Sequence, residues 1–350
     1  MMKRNIIIPT GYMGSGSSAI TDLLEEVEGY ASANGSYEYI FLHCPNGLFD
    51  LEDKLLNGNN ALRSDEALHS FFYCMKALYE EKHWWFGDYK HKIGLSFLDD
   101  CIAFIDSIAD VRMKGSFWYN QEMVHEGRLE RFFNKIKKRI NKVGTRKLLY
   151  DEMWISYPEK EEFYEKSREF IEHFVNSFPS NEQNLIFDQL VLPHNLFRVD
   201  NYFGDNCKVI VVERDPRDVF ILNKYYWNKL HSPVPYPFDV KDFCNYYKKM
   251  RRSEVSVENR NILRVHFEDM VYDYSRSLAK IFDFLKIDNE KHVGKFRKFN
   301  PEKSILGTQL YMQDEKFFKE AEYIEKELLK YTYKFPKKPN NKLTIDNVIM

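Results

Sequence analysis

The amino-acid sequence predicts an α/β protein in three layers, a central parallel sheet flanked by helices, interrupted by a large helical insertion. Two patterns carry this expectation: apolar, β-branched runs recur, and each is followed by residues spaced to form one apolar stripe on a helix. The first run, Asn5 to Pro9 (NIIIP), is apolar on both faces, as a strand covered on both sides must be. Ile20, Leu23, Leu24 and Val27 then form the first stripe. From about residue 60 to about residue 180 glycines are few and the period is helical, in ALHSFFYCMKALYEEKHWWFGDY and YPEKEEFYEKSREFIEHFVNSF; this is the insertion. Leu185 to Asp188 (LIFD) reads as a short core strand that ends in an acid. Lys208 to Arg214 (KVIVVER) repeats the character of the first strand, and Ile262 to Asp269 (ILRVHFED) is a more alternating one. Leu278, Ile281, Phe282 and Leu285 supply the helix behind it. The last helical stretch, Asp314 to Phe335, stops before PKKPNN, so a single domain over residues 1–335 and a flexible tail at 336–350 are expected.

Composition narrows the classes. The 350 residues are 44% hydrophobic and 16% aromatic, with 28 Phe and 23 Tyr, so the core should be aromatic-rich. A net charge of −2 lacks the basic excess that bulk phosphate binding shows, which argues against nucleic acid and makes any anion site local. No segment approaches the roughly 18 apolar residues of a membrane span. The start MMKRNIIIP is positive, but its apolar part is too short for a secretory leader. Cys44, Cys74, Cys101, Cys207 and Cys244 are scattered without a C-x-x-C pair, which fits reduced thiols in the cytoplasm better than a disulfide framework or a zinc site. A cytoplasmic protein is expected.

The first strand runs into the turn TGYMGSGSS and at once into a helix. Gly11 and Gly16 have the spacing of the nucleotide-triphosphate loop G-x-x-x-x-G-K-[ST], but Ser17 follows where that loop carries its lysine. Gly11, Gly14 and Gly16 let the backbone come close to an anion, and Ser15, Ser17 and Ser18 add hydroxyl donors around Tyr12 and Met13. A plain strand-to-helix turn with a serine N-cap would use the same residues. Three glycines straight after a buried strand favour the anion site. Further on, Arg214 ends a buried strand and Asp215-Pro216-Arg217-Asp218 opens a helix, with Asp215 as N-cap, Pro216 in the first position and Asp218 completing a capping arrangement. Capping leaves Arg214 unexplained. It is a cation at the carboxyl end of a parallel strand, where open α/β sheets bind their ligands.

A G-x-x-x-S-G-[ST]-[ST] loop after the first strand and a later strand ending in R-D-P-R-D-V together resemble the sulfotransferases. That family has a nucleotide-kinase-like fold and uses 3′-phosphoadenosine 5′-phosphosulfate (PAPS). The resemblance implies that Gly11 to Ser18 hold the 5′-phosphosulfate and Arg214 the 3′-phosphate. RVHFEDMVYDYSRSLAKIFDFLKI is similar to a helical segment of the family. FNPEKSILGTQLY, Phe299 to Tyr311, is similar to the late loop that closes over the nucleotide, which implies contacts from Lys303 and Ser304. EGYASANGSYEYIFLHCPNGLFDLEDKL resembles bacterial members, and that likeness places Glu38 beside the donor. The implied reaction is in-line attack of an acceptor hydroxyl on sulfur, with adenosine 3′,5′-bisphosphate as product and no metal.

Two positions depart from the family pattern. The family often has Lys or Arg where this chain has Gly14, and its serine eight residues beyond the arginine falls on Leu222, so Asn223 or Lys224 must substitute. For the general base, Glu38 comes first, Asp188 second and His194 third, with a plain surface carboxylate the alternative for Glu38. His43 and His125 have no supporting context. The cluster HWWFGDY, His83 to Tyr89, is either helix packing, the plainer reading, or a stacking surface for a sugar ring. The basic run at 128–142 reads as a solvated helix face. The acceptor implied is a carbohydrate or another hydroxylated metabolite. A phosphate-loop kinase with its lysine elsewhere, and a nucleotide-binding protein without chemistry, remain as alternatives.

Overall fold

The computed structural model describes residues 4–33, 37–114, 132, 133, 135, 136, 139, 152–228 and 234–336. His125, most of the basic run and residues 337–350 of the expected tail lie outside the described residues. The chain divides into two compact units: residues 1–40, 84–86 and 180–350 form the first, and 41–83 with 87–179 the second. The helical stretch expected from about residue 60 therefore belongs to a unit that begins earlier, at Phe41.

The first unit is built on a five-stranded sheet of β1 (Asn5–Gly11), β2 (Tyr30–Ala31), β5 (Asn184–Ile186), β6 (Cys207–Glu213) and β7 (Ile262–His266). Its order is β2-β5-β1-β6-β7 and every pair is parallel. Ile7, Ile186, Ile210, Val212 and Val265 pack on one face against Ile20, Leu23, Leu24 and Val27 and against Ile281 and Phe282 of the helix Tyr274–Leu285. Ile8, Leu185, Val209 and Val211 on the opposite face are also fully buried. Both faces are covered, which is why these strands read as continuous apolar runs.

β1 runs past Pro9 to Gly11, two residues beyond the sequence-derived end. Pro9 lacks an N–H and is normally confined to sheet edges. Here β5 has already ended at Ile186 on one side, and the Pro9 carbonyl on that side accepts from Gln189 N–H at 2.9 Å. No ladder bond is lost. Gly11 is in register with Val212, and Glu213 with His266, so β1, β6 and β7 end along one edge and release their loops there.

The second unit contains the helices Leu48–Leu56, Ala61–Glu80, Phe97–Ile108 and Lys160–Ser177. Phe71, Phe97, Phe104, Phe163, Phe170 and Phe174 fill its core, with Phe104 stacked on Phe170 at 5.2 Å. Sequence reading missed an antiparallel ribbon here, β3 (Val111–Lys114) with β4 (Glu152–Ile155). β3 is only four residues long (VRMK) and its side chains are exposed throughout, so its short apolar–charged alternation was too brief to mark a strand. Among the described residues no helix is long and apolar enough to cross a membrane.

Candidate active site

The glycines of the loop after β1 are dictated by its packing. A Cβ on Gly11 would lie 2.0 Å from Ser15 Oγ and 2.7 Å from the Val212 carbonyl oxygen. Gly16 has φ +84°, and a Cβ there would meet the Phe267 ring at 2.9 Å. The turn is closed by Ser15 N–H donating to the Tyr12 carbonyl at 2.8 Å, and Ser18 begins the helix α1 (Ser18–Leu24). Ser17 stands at the N-cap position but makes no capping bond. Its Oγ instead accepts from Gln189 Nε2 at 2.9 Å, while Gln189 Oε1 accepts from Thr10 Oγ1 at 3.0 Å. The serine-cap reading of this turn therefore fails, and the first N–H groups of α1 have no side-chain cap. Ser15 Oγ is buried and has no hydrogen-bond partner among the described residues. Tyr12 lies under the Arg251 guanidinium at 4.3 Å and donates its hydroxyl to Glu254, whereas Met13 at the tip is exposed.

Arg214 leaves β6 at the same edge. Its Nη1 donates to the Gly14 carbonyl at 3.0 Å and its Nη2 to the Gly307 carbonyl, so the guanidinium joins the first loop to the late loop. It lies over the Phe267 ring at 4.8 Å, and its Nε is buried without a partner among the described residues. Neighbouring charges hold the arrangement. Asp215 caps its helix by accepting from Arg217 N–H at 2.8 Å and pairs with the Arg217 guanidinium at 2.6 Å. Asp218 does not complete a capping box. Its carboxylate accepts from the Gln309 and Leu310 amides at 2.8 and 2.7 Å, clamping the late loop. Lys303 and Ser304 lie on the short helix Pro301–Ser304, the first exposed and the second half-buried. The late loop reaches Arg214 through Gly307, not through either of them.

Leu222 is buried, and the helix passes there into a π-helical stretch, Leu222–Trp227, a rare form that clusters at functional sites. Asn223 faces the loop: a Cβ on Gly14 would lie 3.3 Å from Asn223 Nδ2, which itself donates to the Val219 carbonyl at 2.8 Å. Lys224 is engaged elsewhere, paired with Glu320 at 2.6 Å.

Beyond the loop lies a group of acids. Tyr39 N–H donates to the Asp188 main-chain carbonyl at 2.9 Å, which holds the Glu38 segment beside the Asp188 segment. Burial pushes the Glu38 carboxyl up to about 7. Asp188 is pushed well above the ordinary carboxylate range, first by burial and then by the charge of Glu38; the hydroxyls of Thr21 and Ser17 offset this only in part. Asp188 Oδ2 accepts from Thr21 Oγ1 at 3.2 Å, while Oδ1 is buried without a partner among the described residues. His194 lies edge-on to Tyr12, and its Nε2 is 3.2 Å from the Met250 carbonyl oxygen. That partner can only accept, so Nε2 carries the proton and the ring is committed to the main chain.

Sequence reasoning missed Gln189, Phe267, Gly307 and the partner of Asp218. Phe267 was findable, because it follows β7 directly at the edge where strand-end residues gather. Gln189 left no signal: it holds φ +59° without being glycine, and its bonds to Pro9, Thr10 and Ser17 come from residues far away in sequence.

The sequence profile of the Sulfotransferase family matches residues 10–291. Sulfotransferase 2A1 of Macaca fascicularis is 28% identical over 104 residues, a match covering 27% of this chain and 36% of that protein's length. The sulfotransferase domain of a Synechococcus olefin synthase superposes with a TM-score of 0.35 at 13% identity, covering 98% of this chain and 90% of that one. A retinol dehydratase in complex with androsterone and inactive cofactor PAP superposes with a TM-score of 0.34 at 14% identity, covering 95% and 82%.

Proposed function

The chain belongs to the Sulfotransferase family, and from that premise we propose that it transfers a sulfuryl group from PAPS to a hydroxyl of a carbohydrate-type acceptor. One observation carries the reading. The Arg214 guanidinium reaches the Gly14 carbonyl, which brings a cation to the loop position where the family's own cation is absent. The residues fit a bisphosphorylated nucleotide. Glycines set the approach of the loop, Arg214 keeps a buried Nε–H to donate, and Asn223 stands against Gly14. When bound, the donor supplies an activated sulfuryl group and a stable bisphosphate leaving group.

The chain's own residues do the rest. Loop amides and Arg214 place the donor and stabilise negative charge as it develops. Glu38 takes the proton of the acceptor hydroxyl, since a carboxyl near 7 is about half ionised at neutral pH and basic enough to accept it. Asp188, pushed up by burial and by the charge of Glu38, resists placing a second charge beside Glu38. Lys303 and Ser304 would close on the nucleotide only if the late loop moved as a whole.

The test is isothermal titration of adenosine 3′,5′-bisphosphate in EDTA, and of ATP with Mg²⁺, on wild type and Arg214→Ala. The bisphosphate is expected to bind without metal and to weaken at least about a hundredfold on substitution, given charge-assisted bonds worth about 1.5–3 kcal/mol each. Binding of ATP only with Mg²⁺, indifferent to Arg214, would replace this reading with a kinase. Bisphosphate binding without transfer to any hydroxyl would leave a nucleotide-binding protein.

A further inference from the structure

The cluster that reads as helix packing is packed only in part: Tyr89 at one end is fully buried, Trp85 and Phe86 are half-buried, and Trp84 is not covered. Trp84 is 78% exposed, the highest value for any large apolar side chain among the described residues. It sits at the tip of a tight hairpin bridged antiparallel at Lys82 and Gly87. Gly87 has φ +83°, and a Cβ there would lie 2.4 Å from the Glu81 carbonyl oxygen, so the turn admits little else. The rings of Trp84 and Trp85 are 6.2 Å apart, and those of Trp85 and Phe86 are 4.6 Å apart. The decisive contact is in the main chain: Glu38 N–H donates to the Trp85 carbonyl at 2.8 Å. The tip is therefore tied to the very residue assigned as base.

An acceptor whose hydroxyl reaches Glu38 must rest the remainder of its body nearby. A rigid, solvated indole suits one kind of body. An apolar ring gains from aromatic contact mainly when enclosed on both faces. A sugar ring needs only one: its C–H face lies on the indole while its hydroxyls stay in water. We propose that Trp84 is the acceptor platform and that the acceptor presents a pyranose ring to it. This rests on the transfer reading above and adds the ring form of the acceptor and the residue that recognises it.

The experiment is saturation-transfer NMR on the full chain saturated with adenosine 3′,5′-bisphosphate. The probes are methyl β-D-galactopyranoside, methyl α-D-glucopyranoside and the open-chain polyol D-glucitol. Wild type should transfer most strongly to the C–H protons of one pyranoside face and not to glucitol. Trp84→Ala should lose the signal, weakening the pyranoside about tenfold or more, and Trp84→Phe should keep it. Bisphosphate affinity should be equal in all three, which also shows that the exposed substitution leaves the fold intact. If neither pyranoside receives saturation, or if Trp84→Ala keeps the wild-type pattern, the platform is wrong although the donor site stands. If wild type is a dimer in solution and Trp84→Ala a monomer, Trp84 is a contact between copies and the proposal falls. Failure of the bisphosphate to bind would instead sink the transfer reading itself.

Discussion

The two sides of the site solve opposite electrostatic problems. Around Arg214 the charges are compensated by partners, although burial still pushes the Asp218 carboxyl up to about 7: Asp215 holds Arg217, Asp218 accepts two amides, and Arg217 also reaches Glu325 at 2.8 Å. Around Glu38 burial is what pushes the carboxyl up, and at Asp188 the charge of Glu38 adds to burial. A fixed anion is bound by groups already in place, which costs no rearrangement when it arrives. A proton is moved by a group whose charged and neutral forms are nearly balanced, and compensation would spoil that balance. The protein keeps the two kinds of group on different segments of one sheet edge.

The sharpest test of this contrast is Glu38→Gln. It should lower kcat by about 10²–10⁴ while leaving bisphosphate affinity unchanged, as steady-state kinetics and titration will show. In wild type the rate should rise with pH and level off above about 7, because a base is idle while protonated and Glu38 ionises near 7. In Glu38→Gln that limb should vanish. If bisphosphate binding falls as well, the two sides are one.

Next comes Gly16→Ala on the compensated side. A Cβ at φ +84° against Phe267 should cost about 1–3 kcal/mol of stability, read by thermal unfolding. Bisphosphate affinity should fall too, with kcat at saturating donor nearly unchanged. An effect of similar size is expected from Asp218→Asn, whose amide cannot accept from both Gln309 and Leu310. One stranded amide costs about 1–3 kcal/mol. Looser closure of the late loop should appear as faster bisphosphate release in stopped flow.

The smallest effect is the most pointed. Burial and then the charge formed on Glu38 push the Asp188 carboxyl up, so Asp188 resists ionising as Glu38 ionises. Asp188→Asn should therefore leave the midpoint of the pH–rate limb where it was. An acid shift of about one unit would mean that Asp188 is charged in the working enzyme.

Much of the compensated side was legible in the sequence. Apolar runs gave β1, β6 and β7, glycine spacing gave the loop, and a cation at a strand end gave Arg214. What stayed hidden depended on partners far along the chain. Asp218 looks like a capping residue until Gln309 and Leu310 come to it. Ser17 looks like a cap until Gln189 takes its hydroxyl. Trp84 looks like core because exposure is decided by what fails to cover a residue, which its own neighbourhood in sequence does not record. Pro9 ended a strand on paper for a reason that the early end of β5 removes.

The bond between Arg214 and Gly14 joins residues 200 positions apart, and the amide of Tyr333 returns to Asp215 across 118. Contacts of such separation close large loops and form late in folding. The sheet that carries the candidate site depends on pairings just as distant, Gly11 with Val212 among them, so site and sheet form together. A ligand that binds only the finished site draws the whole unit toward the native state, by about 2.7 kcal/mol at a hundredfold excess over Kd. During synthesis, a ligand whose site needs the bond from Tyr333 to Asp215 would stabilise only chains extended beyond residue 333.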